Sequence, residues 1–85
     1  MEVDFHSKFL KKFRKLPMNV RTRFVERKNL FINEPLHPIL HNHAVDRAYP
    51  GCRSINVTGN YRAIFKPTKG GIIFMKIGTH PELYG

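Results

Sequence analysis

The sequence contains little cysteine and no tryptophan. Cys52 is the single cysteine among the 85 residues. One cysteine excludes both an internal disulfide framework and a four-cysteine zinc site. We therefore interpret Cys52 as a small apolar residue of the core, which fits a reduced, cytoplasmic setting.

Long apolar runs are also absent. No segment approaches the roughly 20 apolar residues of a membrane-spanning helix, so we expect no membrane partner. Met1–Asp4 has neither the basic nor the apolar region of a secretory signal peptide. The length of 85 residues suits one domain and is too short for two, so we expect a single domain over residues 1–85.

Acidic residues are scarce, whereas basic residues are abundant. The chain has 15 Lys and Arg against 6 Asp and Glu, which gives a formal net charge of +9 and a pI near 10.2. Such a charge does not determine the fold, but it attracts polyanions. Nucleic acid is the favoured partner, and RNA above all, while anionic membranes and acidic protein tails are alternatives.

The first half of the chain has helical periodicity. Phe5, Phe9, Phe13 and Leu16 recur at spacings of four, four and three, which predicts an amphipathic helix with Ser7 as its N-cap. Pro17 ends this helix, because the residue before proline avoids helical backbone angles. A second apolar stripe consists of Val20, Phe24 and Phe31. It predicts a helix from about Asn19 to Asn33, and the two helices would form a hairpin.

The remainder of the chain indicates strands. Residues 36–50 have no clean period and are predicted to be an irregular connection with at most one helical turn. Residues 52–57, 61–66 and 72–77 are rich in β-formers and are separated by turns that contain glycine. With a short strand at residues 1–5, the order is β-α-α-β-β-β. We therefore predict an α+β fold in which an antiparallel sheet packs against a two-helix hairpin.

Histidine and arginine are the candidates for chemistry. His37 and His41 have a spacing seen among zinc ligands, but Pro38 lies between them and no cysteine pair or acidic ligand is adjacent, so we expect no metal. RNA cleavage without metal needs a base, an acid and a cation for the charged phosphorane. Arg53 and Arg62 lie on neighbouring predicted strands, and a three-stranded sheet could bring His80 to them.

Two segments carry a family resemblance. Gly51–Phe65 resembles a strand pair of the form R-S…V-x-G-D-Y-R followed by an apolar residue, and Ile77–Tyr84 resembles a tail of the form G-S/T-H-x-x-L-F/Y. Together with the helical hairpin, the residue order and the length, they are similar to the RelE/ParE superfamily of toxins from type II toxin–antitoxin systems. The likeness spans nearly the whole chain and is strongest to the YafQ-like and RelE-type mRNA interferases.

The resemblance implies a function and site residues. RNA-cutting members cleave mRNA at the ribosomal A site without metal or other cofactor, and a cognate antitoxin neutralises them. By resemblance His80 matches the catalytic tail histidine and Arg62 the arginine of the scissile phosphate, with Arg53 as a helper. Tyr84 and His43 match substrate-positioning residues. The basic helices would dock on ribosomal RNA, and operator DNA would be contacted only through the antitoxin.

Two positions depart from the YafQ-like pattern. Asn56 stands where a second catalytic histidine is expected, and Asn60 stands where an aspartate is expected. An amide can bind phosphate or a nucleobase but cannot act as a base, so both are predicted to bind substrate. These departures favour one alternative, a degenerate module that only binds its antitoxin. A ParE-type inhibitor of DNA gyrase is another, although the tail histidine argues against it.

Overall fold

The computed structural model describes residues 1–85 and consists of one sheet, three α-helices and a short 3-10 turn at Pro38–Leu40. No helix has the length and apolar character needed to cross a membrane. The elements, in chain order, are β1 (Glu2–Phe5), α1 (Ser7–Phe13), α2 (Met18–Asn33), β2 (His43–Ala44), β3 (Arg53–Asn56), β4 (Tyr61–Pro67), β5 (Gly71–Thr79) and α3 (His80–Tyr84).

The sheet has five strands in the order β1-β5-β4-β3-β2. The pairs β3–β4 and β4–β5 are antiparallel, as predicted, and β2 also pairs with β3 in the antiparallel sense. The prediction of a wholly antiparallel sheet was wrong for β1, which runs parallel to β5. A parallel pair needs a long crossover, and the intervening helices and strands supply it. Gly71 permits the close approach of β1, because a Cβ there would lie 1.8 Å from the carbonyl oxygen of Glu2.

The predicted helical hairpin is confirmed, but its helices begin and end at other residues than expected. The N-cap of α1 is His6 and not Ser7, because the His6 Nδ1 atom accepts from the backbone amide of Lys8 at 3.1 Å. Its last helical residue is Phe13, so the chain leaves the helix before Leu16 and Pro17 through a short turn. The start of α2 at Met18 is one residue earlier than expected.

An aromatic cluster joins the helices to the sheet. The ring of Phe24 on α2 lies 5.2 Å from that of Phe9 on α1 and 5.0 Å from that of Phe74 on β5. All three side chains are buried. Aromatic pairs at these separations add to the stabilisation from burial. The cluster therefore fixes the hairpin on one face of the sheet and leaves the other face for smaller elements.

Two short elements were not predicted. The connection between α2 and β3 contains the two-residue strand β2 as well as the helical turn that was foreseen. After β5 the chain forms α3, a helix of five residues with no buried side chain. Neither element is long enough to show a hydrophobic period, which is why the sequence pattern did not indicate them.

Replacing Phe24 by alanine should strongly destabilise the protein. The side chain is 2% exposed and contacts the rings of both α1 and β5. Truncating a buried phenylalanine costs about 3–5 kcal/mol, a large share of the ~5–15 kcal/mol of a typical domain. Urea unfolding should show this loss, whereas Val25→Ala, at a side chain that is 45% exposed, should change the unfolding free energy by less than about 0.5 kcal/mol. Equal effects of the two variants would contradict this packing.

Candidate active site

A cleft opens on the sheet face that the helical hairpin leaves uncovered. Its volume is about 290 Å³, and its walls come from β2 and the loop after it, from β3 and β4, and from α3. None of the lining residues is acidic, and four carry a guanidinium or an imidazole. The lining residues are His43, Ala44, Val45, Arg47, Ala48, Ser54, Arg62, His80 and Tyr84. Four residues predicted from the sequence therefore meet in one cleft: His43, Arg62, His80 and Tyr84.

Arg62 is held by the turn between β3 and β4. Its Nη1 atom donates to the backbone carbonyl oxygens of Thr58, Gly59 and Tyr61 at 3.0, 3.2 and 3.1 Å. The Nε and Nη2 atoms have no partner in the protein and stay available to an anion. Guanidinium groups bind phosphate through such paired donors. The turn thus orients a guanidinium with two free donor nitrogens at the edge of the cleft.

His43 has a defined orientation on β2. Its Nδ1 atom lies 2.8 Å from the backbone carbonyl oxygen of His41. A carbonyl oxygen only accepts, so Nδ1 carries the hydrogen and the Nε2 atom of the neutral ring is the free acceptor. His41 adopts a left-handed backbone conformation with φ of 46° at the end of the 3-10 turn, and its ring lies 4.6 Å from that of His43.

His80 and Tyr84 reach the cleft from α3. They lie four residues apart, and their ring centroids are 4.7 Å apart. A capping box begins this helix: the Thr79 Oγ1 atom accepts from the Glu82 amide at 3.3 Å, and the Glu82 Oε1 atom accepts from the Thr79 amide at 2.8 Å. Beneath α3 lies Gly78, where a Cβ would approach Glu82 Oε1 to 3.2 Å.

Polar contacts fasten α3 to the rest of the molecule. The Glu82 carboxylate forms an ion pair with the Lys12 Nζ atom at 2.7 Å, which connects α3 to α1. This pair, followed by the Thr79 hydrogen bonds, lowers the pKa of Glu82 from 4.5 to about 2. On the other side, the Tyr49 hydroxyl donates to the Leu83 carbonyl oxygen at 2.5 Å. These contacts hold His80 and Tyr84 at the cleft although α3 buries no side chain.

The phenol of Tyr84 lies close to Ser54. Burial raises the pKa of Tyr84, and the nearby Ser54 hydroxyl partly offsets this rise. The phenol is therefore uncharged at neutral pH and can donate a hydrogen bond. Ser54 is 1% exposed, and its Oγ atom has no hydrogen-bond partner in the protein. This hydroxyl lies on the cleft floor, because Ser54 is one of the lining residues.

Arg53 does not line the cleft. Its Nε atom donates to Asn42 Oδ1 at 2.8 Å, and its Nη2 atom lies 3.4 Å from the Asn42 carbonyl oxygen. Asn42 in turn donates to the Pro35 carbonyl oxygen at 3.0 Å. Arg53 therefore braces the segment that precedes His43. The structure does not bring it beside Arg62, contrary to the expectation from two neighbouring strands, because the two side chains project from opposite faces of the sheet.

Asn56 and Asn60 lie next to the cleft rather than in its walls. Asn56 pairs across the sheet with Arg62, and its Oδ1 atom is buried without a partner. Asn60 lies in the turn before β4 and lines a second cleft of about 460 Å³. Arg62 and His80 line both clefts and so connect them. Both amides are thus near the candidate site, and their predicted role in substrate binding stays a prediction.

Two cleft residues were missed by the sequence reasoning. Arg47 was one of many basic residues in a segment without a period, so nothing distinguished it from a solvated cation. Ser54 belongs to the strand pair that carries the family resemblance, but serine alternates with apolar residues in many strands.

The structure brings together no group of three or more His, Cys, Asp or Glu side chains that could hold a metal ion.

The contribution of the Lys12–Glu82 pair to stability should depend on pH. The pKa of Glu82 is lower in the folded protein, so the stabilisation is complete above about 4.5 and disappears as the pH falls to about 2. Glu82→Gln can keep the capping box but loses the charge. In thermal unfolding between pH 6 and pH 2, the wild type should have a slightly higher Tm than Glu82→Gln, and this advantage should vanish at the acidic end. An advantage that is independent of pH would contradict this assignment.

The fold is similar to that of solved toxins from E. coli and Methanococcus jannaschii. No family model matches the sequence, and no curated protein matches it. The structure of YafQ from E. coli superimposes with a TM-score of 0.77 at 24% identity, covering 99% of this chain and 98% of that one. YafQ in the E. coli DinJ–YafQ complex gives 0.74 at 24% identity over 99% and 98%. The RelB–RelE antitoxin–toxin complex from Methanococcus jannaschii gives 0.75 at 22% identity over 95% and 94%. The chain therefore shares its fold with YafQ and RelE.

Proposed function

We propose that this protein is the toxin of a type II toxin–antitoxin system and that it cleaves mRNA without a metal ion. The observation that carries the proposal is the meeting of His43, Arg62, His80 and Tyr84 in one cleft without any acidic residue. RNA cleavage through the 2′-hydroxyl requires a base, an acid and a cation, and two imidazoles and a guanidinium can supply them. The fold shared with YafQ and RelE, which are toxins of toxin–antitoxin complexes, supports the toxin role.

The chemical step needs a base and an acid. Histidine suits both roles because it changes charge near neutral pH. The free Nε2 atom of His43 would take the proton from the 2′-hydroxyl, whose oxygen attacks the adjacent phosphorus. His80, in its protonated form, would donate a proton to the 5′-oxygen as the P–O5′ bond breaks. The products would be a 2′,3′-cyclic phosphate and a free 5′-hydroxyl.

The remaining groups would bind the transition state and the substrate. Arg62 would stabilise the charged phosphorane through its two free donor nitrogens, since fixed donors directed at developing charge give large rate effects. Tyr84 would hold the nucleobase next to the cleaved bond with its ring and its neutral phenol. Asn56 and Asn60 would bind substrate from the neighbouring positions. Arg53 would act only indirectly, through the segment that precedes His43.

The partners follow from the fold and the charge. YafQ and RelE have been solved in complexes with the antitoxins DinJ and RelB, so we propose a cognate antitoxin for this chain. An acidic antitoxin segment would complement a protein with a formal net charge of +9. The substrate would be mRNA on the ribosome, with the basic helices on ribosomal RNA. The protein would act in the cytoplasm and reach operator DNA only through its antitoxin.

A second candidate is a module that binds an antitoxin but no longer cleaves RNA. The observation in its favour is the pair of asparagines, Asn56 and Asn60, because neither side chain can act as a base. Growth arrest on induction in the absence of antitoxin would exclude it. A gyrase supercoiling assay on the same protein would identify a ParE-type activity.

The test measures mRNA cleavage on translating ribosomes and maps the new ends. Wild-type protein should leave 2′,3′-cyclic phosphates, whereas His80→Ala, His43→Ala and Arg62→Ala should each lower the rate by about 10²–10⁴-fold, as expected for lost acid–base or electrostatic catalysis. His37→Asn is the control, because the asparagine can keep the cap of the 3-10 turn while an imidazole outside the cleft is removed. Wild-type protein that cuts no mRNA, or His80→Ala protein that arrests growth as strongly as the wild type, would contradict the proposal.

A further inference from the structure

Arg47 is a cleft cation without a partner in the protein. It lies in the loop between β2 and β3, lines the cleft and is exposed. Its guanidinium takes part in neither of the two ion pairs, Lys12–Glu82 and Arg23–Glu26. No side-chain hydrogen bond involves it either. By contrast, Arg53 and Arg62 are both tied to backbone carbonyl groups. All the donors of Arg47 are therefore free for a ligand.

The loop that presents Arg47 is internally bonded. The Val45 amide donates to the Cys52 carbonyl oxygen at 3.0 Å, and the Tyr49 amide donates to the Val45 carbonyl oxygen at 2.9 Å. The Asp46 carboxylate accepts from the Gly51 amide at 3.0 Å. The one acidic side chain of the loop is thus bonded to backbone and forms no ion pair with its neighbour Arg47. The guanidinium therefore projects from an internally bonded loop and takes part in no ion pair.

Arg47 and Arg62 approach the cleft from different sides. Arg62 belongs to β4, whereas Arg47 follows β2, and β3 lies between these two strands. Second-neighbour strands are roughly 10 Å apart. Ser54 of β3 contributes to the cleft floor between them. A single-stranded nucleic acid that crosses this floor would therefore pass two separate guanidinium groups.

The charge of the cleft favours an anion at both ends. No acidic residue lines it, so nothing opposes the two arginines. Arginine binds phosphate through a rigid fork of donors and keeps its charge at any physiological pH. Because one phosphate would be held at Arg62, the free cation on the other side suits a neighbouring phosphate of the same strand.

We propose that Arg47 binds a second backbone phosphate of single-stranded RNA, next to the phosphate at Arg62. This proposal deepens the proposed function, since it concerns the same cleft and the same class of substrate. The phosphate at Arg47 does not react, so its charge is the same in the ground state and the transition state. Such uniform binding raises affinity and lowers KM without accelerating the chemical step. Arg47 is thus a binding residue, whereas Arg62 acts on the reacting phosphate.

The experiment measures binding of a fluorescein-labelled single-stranded RNA whose 2′-hydroxyls are replaced by 2′-methoxy groups, so that it cannot be cleaved. Arg47→Ala should weaken binding about tenfold, which is the usual size for one charge-assisted contact. The slope of log K against log salt should become shallower by about 0.7, as expected for the loss of one phosphate contact on a single strand. Arg47→Lys should keep the slope but lose part of the affinity, because lysine lacks the paired donors.

Lys69→Ala is the matched control. It removes one positive charge from the exposed turn between β4 and β5, outside the cleft. Net charge therefore changes equally in the two alanine variants. Lys69→Ala should leave the affinity within about twofold of the wild type and the salt slope unchanged, because no phosphate contact is lost. Equal losses in Arg47→Ala and Lys69→Ala would show a purely general effect of charge and would overturn the proposal.

Kinetics separate this proposal from the proposed function. In mRNA cleavage, Arg47→Ala should raise KM about tenfold and lower kcat far less than Arg62→Ala does. A wild type that binds the RNA with the predicted dependence on Arg47 but cleaves nothing would support the phosphate site and refute the ribonuclease. A wild type that does not bind the RNA, or an Arg47→Ala variant that binds it with unchanged affinity and slope, would overturn the phosphate site.

Discussion

The packing of Phe24 against Phe9 and Phe74 is the interaction on which the rest of the structure depends. It joins both helices of the hairpin to β5, a central strand of the sheet. The far end of β5 supplies Thr79, which caps α3, and α3 carries His80 and Tyr84. In a chain of 85 residues a small apolar core must therefore position a polar site on the opposite face of the sheet.

The site itself concentrates positive charge. The acidic residues near it are bonded elsewhere: Glu82 pairs with Lys12, and Asp46 accepts from a backbone amide of its own loop. Neither lines the cleft. Charges at the wall of a partly closed cleft act through a lower effective dielectric than charges in open water. The net charge alone indicated only a polyanionic partner. The cleft concentrates positive charge in a volume that fits a few groups of a nucleic-acid strand.

Much of this arrangement could be predicted from the sequence. The apolar stripe that contains Phe9 and the one that contains Phe24 predicted the two helices. β-rich runs separated by glycine-containing turns predicted β3 to β5. Arg62 and His80 followed from the order of the predicted strands as well as from the family resemblance. His43 and Tyr84 came from the resemblance alone, since no periodicity relates His43 to His80. The parallel direction of β1 and the two-residue β2 depend on tertiary pairing that local patterns do not encode, and α3 is too short to show a hydrophobic period. The spacing of Thr79 and Glu82 was nevertheless a readable capping signal for α3.

Arg53 and Arg47 show where residue type alone misleads. Both are arginines near the same strands, yet Asn42 engages one and nothing engages the other. Arg62 lies between these extremes, because three carbonyl groups hold one of its nitrogens and leave two free. An arginine side chain carries ~2 kcal/mol of rotamer entropy. Arg62 loses much of that freedom when the chain folds, so little rotamer entropy remains to be lost when a phosphate binds. The turn between β3 and β4 therefore preorganises the Arg62 side chain for an anion.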